Sequence, residues 1–469
     1  MNNDSSVATV AAAIRAESGA RQPGDRLPST RDLVRRLGVS PVTVSRALAA
    51  LVAEGVVVTR PGAGSFVAAR PARSARGAAR GSDFSWQTLA LGERRTSAAG
   101  LLPSLAEPRA EEIPLASGYP HPALLPLRAL SAAMARAGRR PDAWQRPPVA
   151  GLGGLRAWFA RSTGSQADAA DVIVTPGAQG ALTAAFRALV PPGGTILVES
   201  PTYPGALAIA ASAGIRTVPV PMDSDGIDPA ALVQAFAATG ARVLYCQPTF
   251  QNPTGALMTR DRRAQILRAA AAAGAFVIED DYGRWLSHER PAPPPLITQD
   301  DDGRVVHVTS LTKPASPSLR VGALIARGPV AERLHAIRVV DDFFVSRPLQ
   351  ETALELVSSP AWPRHLASLG RALAARRAAL AQALREQIPQ LTIPELPRGG
   401  VCLWARLPGQ DADVQLADRA SRRGVAVSPG RSFFPAEPPG SFVRLSFAAT
   451  GRTEDLHEAA HRLALALAD

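Results

Sequence analysis

A chain of 469 residues is too long for one ordinary hydrophobic core, so two or three domains are expected. Hydrophobic residues make up 46% of it, yet no apolar run reaches the length of a membrane span, and Met1–Ser6 lacks the basic-then-apolar form of a signal peptide; the expected location is the cytoplasm. The formal charge of +12 is unevenly placed, with 12 arginines against five acidic residues in residues 1–80, a surplus that points to a polyanionic partner such as nucleic acid.

Residues 6–18 are alanine-rich, and Val7, Val10 and Ile14 recur at helical spacing, which predicts a first helix. Ser29-Thr30-Arg31-Asp32 has the form of a capping box, with Ser29 as N-cap. The helix it opens carries Leu33, Val34 and Leu37 on one side and stops at Gly38, a residue suited to the left-handed turn after a helix. Ser40-Pro41 starts the next, with Val44, Leu48, Leu51 and Val52 facing inward and an end at Gly55. Two helices joined so tightly make a helix-turn-helix. Val56–Thr59 and Ser65–Ala68 read as strands around Arg60-Pro61-Gly62-Ala63-Gly64, a basic, glycine-rich wing. On the third helix Thr43, Ser45 and Arg46 fall opposite Val44 and Leu48, within reach of bases or phosphates. Residues 23–67 resemble the winged-helix domain of GntR-type bacterial regulators, through Pro-Gly-Asp, Leu-Pro-Ser, Thr-Val, Glu-Gly and the wing Gly-x-Gly. The resemblance implies that helix 40–53 enters the major groove of double-stranded DNA. Ser40, Thr43, Ser45 and Arg46 would then lie along it, with Arg31, Arg60, Gly62 and Gly64 at the backbone and minor-groove edge.

The domain is taken to span 1–69, and residues 70–110, rich in Arg, Ala, Gly and Ser, read as a flexible basic linker with a short helical piece near Trp86–Leu91. From 111 to 469 strand-like and helix-like runs alternate. Seven β-branched runs, Val172–Thr175, Thr195–Glu199, Arg216–Val220, Val243–Gln247, Phe276–Asp280, Val305–Thr309 and Val321–Ile325, predict a mostly parallel seven-stranded sheet covered on both faces. A long helical region from about 360 and strands Cys402–Ala405 and Val443–Phe447 predict a smaller α+β subdomain. No Gly-x-Gly-x-x-Gly follows the first strand, which argues against a dinucleotide-binding fold. Cys246 and Cys402 lack paired or metal-site spacing and read as buried thiols, and no metal site is expected.

Of the 52 Lys and Arg residues only Lys313 is a lysine. Arginine supplies charge at least as well; lysine alone offers an amine whose pKa its surroundings can lower and which then attacks aldehydes. Other strand ends carry chemistry too. Thr175-Pro176-Gly177-Ala178-Gln179 leaves the amides of Ala178 and Gln179 at a helix start, suited to phosphate. Tyr203 follows one strand, Asn252 sits in a rigid Asn-Pro turn, and Phe276–Asp280 runs into Asp281-Tyr282. Ser310, Thr312 and Arg320 flank the lysine.

Taken together these resemble fold-type I pyridoxal 5′-phosphate enzymes, the aspartate aminotransferase superfamily, and behind a GntR-type domain they resemble the MocR branch of bacterial regulators. The resemblance implies that Lys313 holds the cofactor as an aldimine and that Asp280 keeps the pyridine nitrogen protonated. It places Tyr282 and Asn252 on the phenolic oxygen, Tyr203 against the ring, and Ala178, Gln179, Ser310, Thr312 and Arg320 around the phosphate. Arg444 matches the arginine that grips an amino acid's α-carboxylate. It further implies a homodimer that senses the cofactor itself, an amine or an amino acid. A working aminotransferase carrying a DNA-binding domain is the alternative. The chain departs from the branch at Gly283-Arg284-Trp285-Leu286 and at Phe250-Gln251-Asn252-Pro253, which is closer to true aminotransferases. Arg146, with Trp144 nearby, stands where the superfamily's cross-subunit tyrosine is expected.

Overall fold

The computed structural model describes residues 3–19, 21, 24–54, 56–60, 64–68, 85–91, 97–289, 291–409 and 412–468. The chain divides into two compact units, Met1–Glu93 and Arg94–Asp469.

In the first unit α1 (Asn3–Gly19), α2 (Thr30–Leu37) and α3 (Pro41–Ala53) precede a two-stranded ribbon, β1 (Val57–Arg60) and β2 (Gly64–Val67), paired antiparallel with Val57 opposite Val67. The caps sit where the sequence puts them. Ser29 accepts from the Asp32 amide, Ser40 accepts from the Thr43 amide, and Gly38 closes α2 at φ 64°. The third helix closes at Glu54, whose amide donates to Ala50, while Gly55 lies outside the described residues. Val10, Ile14, Leu33, Val44, Leu48, Leu51 and Val57 form one core. Val52, expected inside, is instead 39% exposed. Within the predicted linker, Ser85–Leu91 and Leu102–Leu105 are helical.

The second unit is built on a sheet in the order β3-β10-β9-β8-β7-β4-β5-β6. Its strands are β3 (Val172–Thr175), β4 (Thr195–Ser200), β5 (Arg216–Asp223), β6 (Gly226–Ile227), β7 (Val243–Cys246), β8 (Phe276–Asp280), β9 (Val305–Ser310) and β10 (Gly322–Ile325). All seven expected runs form strands. The two-residue β6 adds an eighth, too short to leave a periodic signal. Strands β5, β4, β7, β8 and β9 run parallel. Of these β4, β7, β8 and β9 are buried along their middles, whereas β5 buries only Val220, and separate apolar clusters cover the two faces. A smaller sheet, β11 (Cys402–Arg406), β13 (Phe442–Ser446) and β12 (Ser428–Pro429), packs with helices Ala361–Gln387, Ala412–Arg422 and Glu454–Ala468 around a third cluster. Both cysteines are free and buried. No helix among the described residues is long and apolar enough to cross a membrane.

One feature of the topology gathers the functional residues. Strand β10 is antiparallel to both neighbours, with Gly322 opposite Thr175 of β3 and opposite Ser310 of β9. Its start therefore lies beside the ends of β3 and β9. Gly322 is required there, because a Cβ would stand 2.7 Å from the Thr309 carbonyl oxygen and 3.0 Å from Gly177 Cα.

Leu51→Ala empties a fully buried position in the first unit and is expected to destabilise that unit by about 2–5 kcal/mol. Ser29→Ala removes only an N-cap, at about 1 kcal/mol. Calorimetry on the full chain should place the two losses in that order, in the transition of the first unit.

Candidate functional site

Lys313 follows β9 directly. Its Nζ donates to the Gly118 carbonyl and lies 3.8 Å from the centroid of the Tyr119 ring. Burial, and then the charge of Arg444, push its pKa down to about 7, against support from Asp280. The amine is thus half neutral near neutral pH, the form that attacks an aldehyde.

Asp280 ends β8 and is almost fully buried. Its Oδ2 accepts from Tyr245 Oη and from Gln247 Nε2, both at 2.8 Å, whereas Oδ1 has no protein partner. Burial raises its carboxyl to about 6, with the two donors opposing. Gln247 also reaches the other expected ring contact, since its Oε1 accepts the Asn252 amide at 3.2 Å. Glu199, pushed up to about 8 by burial, accepts from the Gln247 amide and from Gln251 Nε2. Asn252 Oδ1, like Asp280 Oδ1, is buried without a partner. Glu199 Oε1, in the same network, is unpaired as well. Buried polar atoms left unpaired call for a partner, and those that border the lysine can find it in a ligand. A basic ring nitrogen suits Asp280 Oδ1.

The start of β10 supplies the remaining wall. Gly177 opens the helix Gly177–Leu189 at φ 79°, and a Cβ there would meet the Arg320 guanidinium at 2.8 Å. The first amides of that helix, Ala178 and Gln179 among them, have no acceptor within it. Arg320 donates to the Pro176 carbonyl and holds a left-handed backbone, φ 49°, that costs a non-glycine residue about 1–2 kcal/mol. Ser310 Oγ bonds Thr312 Oγ1 at 2.7 Å and also takes the Thr312 amide. Hydroxyls, helix amides and a guanidinium together suit a phosphate. Tyr203 bonds Gln179 Oε1 through its hydroxyl at 3.1 Å and lies over Gly205, where a Cβ would strike the ring. Tyr282, expected on the cofactor's phenolic oxygen, donates its hydroxyl to the Phe250 carbonyl at 2.5 Å.

Arg444 is buried on β13, and its Nη2 donates to the carbonyls of Ala116 and Ser117 at 3.1 and 2.9 Å, while Nε has no partner. The guanidinium is brought close to Lys313. A Cβ at Gly118 would stand 3.5 Å from Lys313 Nζ and 3.9 Å from Arg444 Nη2. The sequence reading gave no role to Gly118, Tyr119, Tyr245 and Gln247, which lie in no motif, nor to Glu199, which opens the stretch that carries Tyr203. Arg146 and Trp144 are exposed, Trp144 at 83%.

In the first unit Arg31, Ser40, Ser45 and Arg46 are exposed. Thr43 is not: it is buried, and its hydroxyl bonds Ser40 Oγ at 2.8 Å, which makes it a brace of the helix start rather than an outward residue. Gly64 takes φ 107° against the Arg26 guanidinium. Gly62 and the Arg60 side chain lie outside the described residues.

Two outcomes follow from the geometry. Capture of an aldehyde by Lys313 should slow about tenfold per pH unit below about 7 and level off above, since lowering the pKa moves the neutral amine to lower pH; an ordinary lysine would keep gaining to about 10.4. Stopped-flow absorbance with pyridoxal 5′-phosphate reads this directly. Tyr245→Phe removes one donor from a buried carboxylate and should weaken cofactor retention roughly tenfold or more. Gln247→Leu, which also frees the Asn252 amide, should weaken it further in equilibrium dialysis.

Comparison with known proteins accords with this geometry. The family description "Aminotransferase class I and II" matches residues 111–463, and "Bacterial regulatory proteins, gntR family" matches residues 7–67. The HTH-type transcriptional regulator TauR of Rhodobacter capsulatus is 32% identical over 445 residues, covering 92% of this chain and 90% of its own. The 2-aminoadipate transaminase of Thermus thermophilus is 30% identical over 357 residues, covering 75% of this chain and 89% of its own. Among solved structures, the Thermus thermophilus α-aminoadipate aminotransferase LysN, complexed with N-(5′-phosphopyridoxyl)-L-leucine, superposes with a TM-score of 0.75 at 29% identity, over 80% of this chain and 95% of its own. The unpaired oxygens of Asp280 and Asn252, the neutral-prone Lys313 amine and the cradle around Arg320 fit pyridoxal 5′-phosphate, the cofactor of this fold. The chain belongs to the aminotransferase class I and II family, in its MocR-type branch of transcription regulators, where a GntR helix-turn-helix domain precedes a fold-type I aminotransferase unit.

Proposed function

We propose that this regulator binds an operator in double-stranded DNA as a homodimer and alters that binding when an amino-group ligand, or pyridoxal 5′-phosphate itself, occupies the site at Lys313. The observation that carries the reading is the convergence of Lys313 and Arg444 on one short backbone segment, 116–118. An amine acceptor and a carboxylate clamp set side by side suit an α-amino acid.

Bound here, the cofactor supplies an aldehyde and a ring that draws electrons when its nitrogen is protonated. The protein's residues supply the rest. Asp280 Oδ1 holds the proton at that nitrogen, kept in place by Tyr245 and Gln247 on its other oxygen. Arg320, Ser310, Thr312 and the helix start at Gly177 anchor the phosphate. Lys313 Nζ presents the neutral amine, and Arg444 orients a ligand carboxylate through its free Nε and its displaceable contacts. Occupancy must favour one arrangement of the dimer over another for the DNA to be affected, which is the requirement of any allosteric coupling. On the DNA side, Ser45 and Arg46 of α3 face the bases, with Arg31, Ser40 and the wing on the phosphates.

A second reading, a competent aminotransferase with a DNA-binding domain, is favoured by the same Arg444 and by the likeness to transaminases. The single lysine makes the test clean. Borohydride reduction of the cofactor-loaded protein should leave one pyridoxyl adduct, at Lys313, and Lys313→Ala should lose the visible absorption. Affinity for the chain's own upstream DNA should change with cofactor and amino acids in the native protein and stay fixed in Lys313→Ala. Affinity indifferent to both ligands, together with many turnovers of transamination, would replace the first reading with the second.

A further inference from the structure

The residues on either side of Asp280 lead away from the cofactor site to a second cavity. Glu279 and Asp281 are fully buried, as is His307, whose Nδ1 lies 2.9 Å from Glu279 Oε2 and whose Nε2 lies 3.9 Å from Asp281 Oδ2. Arg263, 1% exposed, stands 3.7 Å from Glu279 Oε1, and Arg284 forms an ion pair with Asp281. Buried charges of this kind contribute little net stability, because desolvation offsets the attraction. Part of the arrangement is structural, since Arg263 donates to the carbonyls of Met258, Pro248 and Pro294 and to Thr249 Oγ1, and Arg284 donates to the Pro293 carbonyl.

Arg263 and Arg284 form the inner wall of a cavity of about 580 Å³. Arg161, at the end of helix Gly153–Thr163, and Arg260, at the start of helix Arg260–Ala272, stand at its mouth. No aspartate or glutamate lines it among the described residues. The inner pair is answered by the two carboxylates behind it, whereas Arg161 and Arg260 make no ion pair or side-chain hydrogen bond among the described residues. Pro293 and Pro294 give one side an apolar surface. The volume falls within the range of small-molecule sites. Duplex DNA is convex and would meet only the mouth.

We propose that this cavity is a second ligand site, for a small dianion such as a phosphate monoester or a dicarboxylate, set apart from the Lys313 site. Arg161 and Arg260 bring two uncommitted guanidiniums to a space with no carboxylate of its own, and planar forks suit both oxyanions. Arg284 stands behind them bonded to Asp281 and the Pro293 carbonyl, and Arg263 is taken up by protein acceptors. The site touches the cofactor's acid through the chain itself, since Arg263 and Arg284 hold the residues immediately before and after Asp280. A dianion that draws Arg284 outward loosens its hold on Asp281, one residue from the carboxylate that faces the ring.

The test uses the full chain and calorimetric titration with AMP, inorganic pyrophosphate and succinate at constant ionic strength. Saturable binding is expected, unchanged by Arg320→Ala, which disables the cofactor's phosphate cradle, and weakened at least tenfold by Arg161→Ala with Arg260→Ala. Preference for AMP and pyrophosphate or for succinate names the source of the dianion. Arg128→Ala with Arg333→Ala, both exposed, removes the same charge elsewhere and should have no effect. Absence of saturable binding at millimolar concentration overturns the proposal. So does an equal loss in the two double variants, which would mean adventitious anion attraction only. DNA affinity that falls in Arg161→Ala/Arg260→Ala while small-anion binding persists would reassign the arginines to nucleic acid.

Discussion

Asp280 has one oxygen saturated by the protein and the other left without a protein partner, and the strand ends around it are tied together so as to hold that arrangement. A carboxylate at the end of a buried parallel strand is held against its own desolvation, which raises its pKa to about 6. Tyr245 and Gln247, on the neighbouring strand, donate to the same oxygen and so leave the second oxygen as the only direction in which its charge can be answered. Gln247 is in turn tied to Glu199 on the next strand and to Asn252 in the following turn. Three adjacent strand ends are thereby locked to one another by a single residue, its side chain reaching Asp280 and Asn252 and its backbone amide reaching Glu199. The cofactor contacts are a property of the sheet order, and altering the order would scatter them.

The antiparallel β10 does for the phosphate what the parallel strands do for the ring. By running against β3 and β9 it delivers Arg320 to the same edge as Gly177 and Ser310. The strain at Arg320 and the close approach at Gly177 and Gly322 are accepted to make that meeting tight.

What was legible beforehand divides along the same line. Caps, turns and β-branched runs are local, and the strands and the helix-turn-helix could be read from them. Lys313 stood out as the only lysine, and Asp280, Asn252 and Arg320 were singled out through the resemblance of the short motifs that hold them at strand ends. Tyr245 was not, since Val-Leu-Tyr-Cys reads as an apolar strand until β8 is known to lie beside it with Asp280 in reach. Gly118 is 195 positions from the lysine that it accepts, and no local pattern announces such a pairing. Thr43 was misread for a simpler reason. Helical spacing places it at the edge of the Val44–Leu48 face, and the Ser40 hydroxyl one turn earlier draws it inward.

The segment 116–118 gives the site a competitor built from its own backbone. Its carbonyls already take donors from Lys313 and Arg444, so on the proposed reading an arriving carboxylate would displace peptide oxygens. Neutral carbonyls are weaker acceptors than a carboxylate for a guanidinium, and a ligand lacking that charge gains nothing from the exchange. On the proposed reading, ligands would be screened by charge before any covalent chemistry begins.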